Sequence, residues 1–191
     1  MSTIFEKMEL CAVNAKSKDQ ETLAETIVML GDENWRVRYA AAIALGDRRD
    51  PAAVDALLQA LNRENQEPLF TQPKLEGGGP AGAPDCAAII FPLGTTDQTK
   101  EAWRRRGRVI QAICLALGNI AAASPAVLEL LHRYATDQAC DYAVRAAACK
   151  ALGQLARPES LATLEKAIGD EEWCTSCEAK KAVRAISGTA G

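Results

Sequence analysis

Trp35-Arg36-Val37-Arg38-Tyr39-Ala40-Ala41-Ala42-Ile43-Ala44-Leu45-Gly46 recurs later in the chain. Moved on by 107 positions it becomes Tyr142-Ala143-Val144-Arg145-Ala146-Ala147-Ala148-Cys149-Lys150-Ala151-Leu152-Gly153. An offset of 72 gives a third copy, in which Val109, Cys114, Leu117 and Gly118 answer Val37, Ala42, Leu45 and Gly46. An offset of 138 brings in Trp173, Ala179 and Val183, with no glycine at the end. A repeat of this kind specifies an array of similar units, and such arrays usually bind rather than catalyse.

Each copy reads as a helix pair. Glycine at 46, 118 and 153 suits the left-handed turn that ends a helix. A second helix then starts near Pro51, Pro125 and Pro158, where the missing N–H of proline is no loss. Apolar residues follow at helical spacing: Val54, Leu57, Leu58 and Leu61; Leu128 and Leu131; Leu161, Leu164 and Ile168. Leu23, Ile27 and Leu30 carry the same stripe upstream, and Ile4, Phe5, Met8 and Cys11 make an earlier amphipathic helix. No pair buries its apolar face alone, so neighbours must stack.

The pattern Trp35-x-Val37-Arg38-x-x-Ala41-Ala42-x-x-Leu45-Gly46, followed by Asp50-Pro51-x-x-Val54-x-x-Leu57, resembles the short HEAT-like repeat named after phycobilisome lyases. The resemblance covers 33–62, 107–135 and 140–187 well and 1–32 loosely. It implies an all-α fold, a right-handed α-solenoid of four to five short helix pairs with one long inserted loop. The expected layout is N-terminal capping helices over 1–32, repeats over 33–63, 99–136 and 137–169, and a capping helix over 170–191. The inserted loop occupies 64–98. For function the resemblance implies an adaptor. Bilin lyase subunits and other phycobilisome-associated proteins carry similar repeats, so a bilin is one ligand it suggests.

Composition narrows the classes. Of 191 residues, 48% are apolar, 25% charged and 5% aromatic, an ordinary soluble mixture. A net charge of −3 exerts no general pull on nucleic acid or anionic membrane. The N-terminus lacks the basic and apolar regions of a signal peptide, and no run spans a bilayer. Seven cysteines, an odd number inside helical patterns, read as reduced thiols of a cytoplasmic protein.

The insertion breaks the period. It holds five of the eight prolines and the run Gly77-Gly78-Gly79, which exclude a helix. Its second half, around Ile89, Ile90 and Phe91, is too apolar for a plain linker and is expected to dock on the array or on a partner protein. Trp103-Arg104-Arg105-Arg106-Gly107-Arg108 is the densest basic cluster. Trp103, Arg104 and Arg105 are candidate partner contacts, as is His132, the single histidine, on a second helix. Gly107 is expected to interrupt that helix. Cys174-Thr175-Ser176-Cys177 could hold zinc or an iron–sulfur cluster with Cys140, one repeat earlier, and with Asp141 or Cys86 to complete the set. The packed-core reading outweighs reactivity for Cys11, Cys114 and Cys149. Arg38 and Arg145 share a register and should tie units together through Asp32, Asp47 or Asp50. Phosphate-loop, nucleophile-elbow and zinc-protease motifs are absent. The leading expectation is therefore a non-catalytic scaffold or assembly factor that holds a partner protein through its concave face and inserted loop.

Overall fold

A computed structural model describes residues 2–65, 74–76, 88–90, 94–138 and 140–188. Four helix pairs follow one another: α1 (Ile4–Asn14) with α2 (Gln20–Met29), α3 (Trp35–Arg48) with α4 (Val54–Asn65), α5 (Asp97–Ile120) with α6 (Pro125–Thr136), and α7 (Tyr142–Leu155) with α8 (Leu161–Ile168). A further helix, α9 (Trp173–Gly188), follows them. The odd-numbered helices stack in one layer, α1 on α3, α3 on α5, α5 on α7 and α7 on α9. Each even-numbered helix packs against the first helix of the next pair. The protein is an α-solenoid.

The helix ends follow from the local sequence. Asn34 and Asp141 occupy the same register, and each side chain accepts the N–H two residues on, at 2.9 Å. These caps satisfy donors that a helix start leaves open. Pro51 and Pro158 begin single 3₁₀ turns that lead into α4 and α8, and Pro125 begins α6 directly.

The repeat glycines do not end their helices. Gly46, Gly118 and Gly153 lie inside α3, α5 and α7. The left-handed caps fall three residues later, on Arg49 (φ 57°), Ala121 (φ 57°) and Ala156 (φ 51°). What the glycines provide is close approach of neighbouring helices. A Cβ on Gly46 would stand 2.7 Å from Cα of Ala116, and one on Gly118 2.7 Å from Cα of Ala151. A Cβ on Gly153 would stand 2.8 Å from Cβ of Ala182. Ala44, Ala116, Ala151 and Ala182 are themselves one repeat position, two before the glycine. Each glycine thus receives the alanine of the following copy. Arg184 takes the glycine position in α9 and is exposed.

Between these seams runs a continuous core. Leu45, Leu117 and Leu152 are fully buried, as are Leu57, Leu131 and Leu164 on the second helices. Full burial of one such side chain stabilises by roughly 1.5–3 kcal/mol. Cys11, Cys114 and Cys149 are buried within this core.

The insertion is shorter at both ends than the proline pattern suggests, because α4 runs to Asn65 and α5 starts at Asp97. Within it, Lys74–Glu76 (β1) pairs antiparallel with Ala88–Ile90 (β2), Leu75 opposite Ile89. Ile89 and Ile90 therefore lie on a strand. Phe91 and Cys86 lie outside the described residues.

Candidate functional site: the seam of α5, α7 and α9

Helix α5 is twice the usual length because its start is well supported. Thr96 caps Thr99 N–H, Lys100 pairs with Asp97 at 3.0 Å, and Arg105 pairs with Glu101 at 2.9 Å. Gly107 does not interrupt it. A mid-helix glycine costs about 1 kcal/mol relative to alanine, too little to break a helix packed on both neighbours. Gly107 stands where α3 has Trp35 and α7 has Tyr142, and a Cβ there would already lie 3.4 Å from the Asp141 side chain.

The basic cluster divides around this helix. Trp103 and Arg106 are buried, at 6% and 5% exposure, and line a cavity of about 320 Å³ with Arg133, Tyr134, Asp137 and Cys140. Arg104 and Arg108 are exposed, one turn apart, on the opposite side. They line a second, wider groove of about 470 Å³. Its lining also includes Tyr142, Ala143, Ala146 and Lys150 of α7 and Cys174 and Glu178 of α9. Asp141 lies on both the groove and the cavity.

The groove is a departure from the repeat. Ala143 and Ala146 occupy the positions of Arg36 and Tyr39. The large side chains of the α3 copy are replaced by methyl groups in the α7 copy, and a groove opens there. Its charges are mostly positive. Glu178 is engaged by Lys181 at 2.6 Å. Burial pushes the Asp141 carboxyl above its ordinary range, against the Ala143 N–H and the charges of Arg108, Arg145 and Arg104, which pull it down. Arg104, Arg108 and Lys150 are the cations.

A second departure concerns the arginine ties. Arg145 is fully buried and binds Asp170 through two hydrogen bonds, Nε–Oδ2 at 2.7 Å and Nη2–Oδ1 at 3.0 Å, and the Cys140 carbonyl at 2.6 Å. Arg38 repeats this with Glu64 at 2.6 Å and the Asp32 carbonyl at 2.9 Å. The acid thus comes 25 or 26 residues after the arginine, from the last turn of α4 or just past the end of α8, rather than from the carboxylates of Asp32, Asp47 or Asp50. Asp32 uses its carboxylate on Lys7. In the α5 copy both members are apolar: Ile110 and Ala135 stand where the arginine and the acid would, and both are buried.

Cys140, Cys174 and Cys177 do not line one pocket. Cys140 lines the cavity, Cys174 lines the groove, and Cys177 lines neither. Among the described residues no three His, Cys, Asp or Glu side chains gather as a metal site. Cys140 donates to Asp137 at 3.5 Å, and burial, with that carboxylate, pushes its thiol up to about 12. Burial likewise raises Cys11 to about 11 and Cys149 to about 12, so these thiols stay protonated. His132 lies 2.9 Å from the hydroxyl of Ser160, joining α6 to the turn before α8. Burial lowers the His132 pKa, with the Glu159 charge opposing. Ser160 is fully buried, out of reach of any substrate.

Of the residues singled out from sequence, Arg104 lines the groove, Trp103 the cavity, and Arg105 is spent on Glu101. Arg108 belongs to the basic cluster read from the sequence, whereas Lys150 and the alanines carried no motif. Their signal was the change from Arg36 and Tyr39 to Ala143 and Ala146 between aligned copies.

The sequence matches HEAT repeats over residues 7–69 and 101–187. The chain belongs to the HEAT repeat family. Human deoxyhypusine hydroxylase, solved in complex with glycerol, is similar at 19% identity over 98% of this chain and 81% of that chain, with a TM-score of 0.39. No curated protein sequence matches the chain. Among the described residues no helix is long and apolar enough to cross a membrane.

Proposed function

We propose that this HEAT repeat chain is a non-catalytic scaffold or assembly factor that holds a partner protein. One observation supports it above the others. The Cys11, Cys114 and Cys149 thiols are buried in the core and His132 is bonded to a buried serine, while the array opens a groove on its surface. Helix α5 carries both that groove and the end of the inserted segment, so one partner can use both.

The test is capture of native proteins on the immobilised full chain, followed by titration of each purified candidate. Saturable one-to-one binding that survives removal of residues 68–92 assigns the contact to the array. Binding lost on that removal assigns it to the insertion. Absence of any saturable partner defeats the scaffold reading. The resemblance of the repeats to those of phycobilisome lyases extends the proposal to chromophore handling. Co-expression with a bilin and a phycobiliprotein subunit tests that extension, and a colourless product rejects it.

A further inference from the structure

We infer that Glu172 is a proton-operated catch in the joint between α7 and α9. As the carboxylic acid it seats in the joint. As the carboxylate it draws out toward water and loosens the first turn of α9.

The placement of one oxygen carries it. Glu172 is 4% exposed, and its Oε1 is buried with no hydrogen-bond partner among the described residues. It stands in the register of Asn34 and Asp141, whose shorter side chains each accept the N–H two residues on. The backbone around it is anchored. The Glu172 N–H donates to Asp170 Oδ1 at 2.9 Å, and its carbonyl accepts from the Ser176 N–H at 3.0 Å. The Thr175 hydroxyl donates to the Tyr142 carbonyl at 3.3 Å and that of Ser176 to the Ile168 carbonyl at 2.7 Å. These bonds tie the first turn of α9 to α7 and α8. A carboxylate seeking water from this position works against them.

The charged groups around Glu172 make its ionisation costly. Arg145 of α7 is the cation, but it is bonded to both oxygens of Asp170 and to the Cys140 carbonyl. Asp141 at the start of α7, with Asp170 and Glu171 before α9, surrounds it with carboxyls. Burial pushes the Glu172 carboxyl above its ordinary range. The Arg145 charge opposes this, and Asp170, Asp141 and Glu171 add to it. Burying an ionised carboxylate without a partner costs far more than burying the acid. Among the described residues no three His, Cys, Asp or Glu side chains gather as a metal site. That leaves the proton as the cation this cluster takes up.

The sign is opposite to that expected of a carboxyl held by a salt bridge. A group whose pKa is raised in the folded state contributes fully below its unfolded value, here 4.5. That contribution is lost as pH rises through the folded value. The catch therefore holds in acid and releases as pH rises.

The experiment compares the full chain with Glu172→Gln, which keeps the shape of the acid and cannot ionise. A second variant, Glu171→Gln, makes the same charge change on an exposed neighbour. Urea denaturation and hydrogen exchange of the α9 amides, corrected for intrinsic exchange, are read at about pH 4.5 and about pH 8. Between the two, exchange of the first turn of α9 in the parent, relative to Glu172→Gln, should rise at least about threefold. The stability of the parent relative to that variant should fall over the same interval. Glu171→Gln should follow the parent at both. Asp141, whose carboxyl burial also raises, is common to all three proteins. A gap to Glu172→Gln that does not change with pH overturns the inference. So does the same change in Glu171→Gln, or a changing stability gap with α9 exchange unaltered. A Glu172→Gln chain that fails to fold also overturns it, since the joint would then require the charge.

Discussion

Arg145 is the largest fully buried side chain in the molecule as described, and Asp170 is ion-paired with it. A surface ion pair contributes about 0–1 kcal/mol. This pair is different, because both side chains are out of water, at 0% and 1% exposure. Removing one member leaves a charge buried without compensation, at a cost of about 3–5 kcal/mol. Asp170→Asn and Arg145→Ala should each lose that much stability in urea denaturation at neutral pH. The double change to an apolar pair, Arg145→Ile with Asp170→Ala, should cost less than either alone, since the α5 copy already carries Ile110 and Ala135 at those places. The pH dependence has a definite sign. Desolvation raises the Asp170 carboxyl, but the Arg145 hydrogen bonds and charge, with the Glu172 N–H and Gln138, outweigh it and hold the pKa below 3.8. A carboxyl depressed in the folded state stabilises at pH above its unfolded value and loses that contribution as pH falls through the folded one. The parent should therefore lose stability below about pH 4, and the deficit of Asp170→Asn should narrow there. A deficit unchanged between pH 7 and pH 3 would refute the assignment.

At the scale of the helix, the repeat glycines invert an ordinary rule. Glycine to alanine inside a helix normally gains up to about 1 kcal/mol. In α5 the new methyl at residue 118 would stand 2.7 Å from the Ala151 backbone, and backbone has little room to yield. Overpacking of this kind costs about 1–3 kcal/mol, so Gly118→Ala should lower the melting temperature. Gly188→Ala meets nothing within 4 Å and should not. A Gly118→Ala protein as stable as the parent would mean that α5 and α7 can separate freely. The repeat made these glycines visible in the sequence, and with them the stacking, the proline starts and the buried cysteines. It could not separate a helix-ending glycine from a helix-packing one, because both read as glycine after an apolar run. The distinction depends on what the neighbouring copy places opposite. The same holds for the arginine ties. Asp32, Asp47 and Asp50 were near in sequence, whereas Glu64 and Asp170 come close only once the next pair has folded back. Gly107 misled because propensity is a small term against burial on two sides. Arg104 and Arg108 of the groove stood out in the basic cluster, but its alanines were legible only as a difference between copies.

At the scale of the whole molecule, the question is whether the array depends on the segment that interrupts it. The contacts of the described residues say that it does not. Helices α3 and α5 pack directly, through the Gly46 and Ala116 seam, although they belong to pairs separated by the insertion. Helix α4 also packs on α5, so the third pair meets the second through both of its helices. Chain length between such packed elements matters little, since each doubling of a flexible connection costs only about 0.6 kcal/mol in closure entropy. Replacing residues 68–92 with a short Gly/Ser linker should accordingly leave a single cooperative transition, with the melting temperature within about 5 °C of the parent. Calorimetry checks this. Two separate transitions, or loss of the transition, would mean that the insertion holds α3 and α5 together, and binding lost by the shortened protein would then report misfolding. With the transition intact, the shortened chain separates the two surfaces offered to a partner. Binding it keeps belongs to the array, whose groove Arg104, Arg108 and Lys150 line with the alanines of α7.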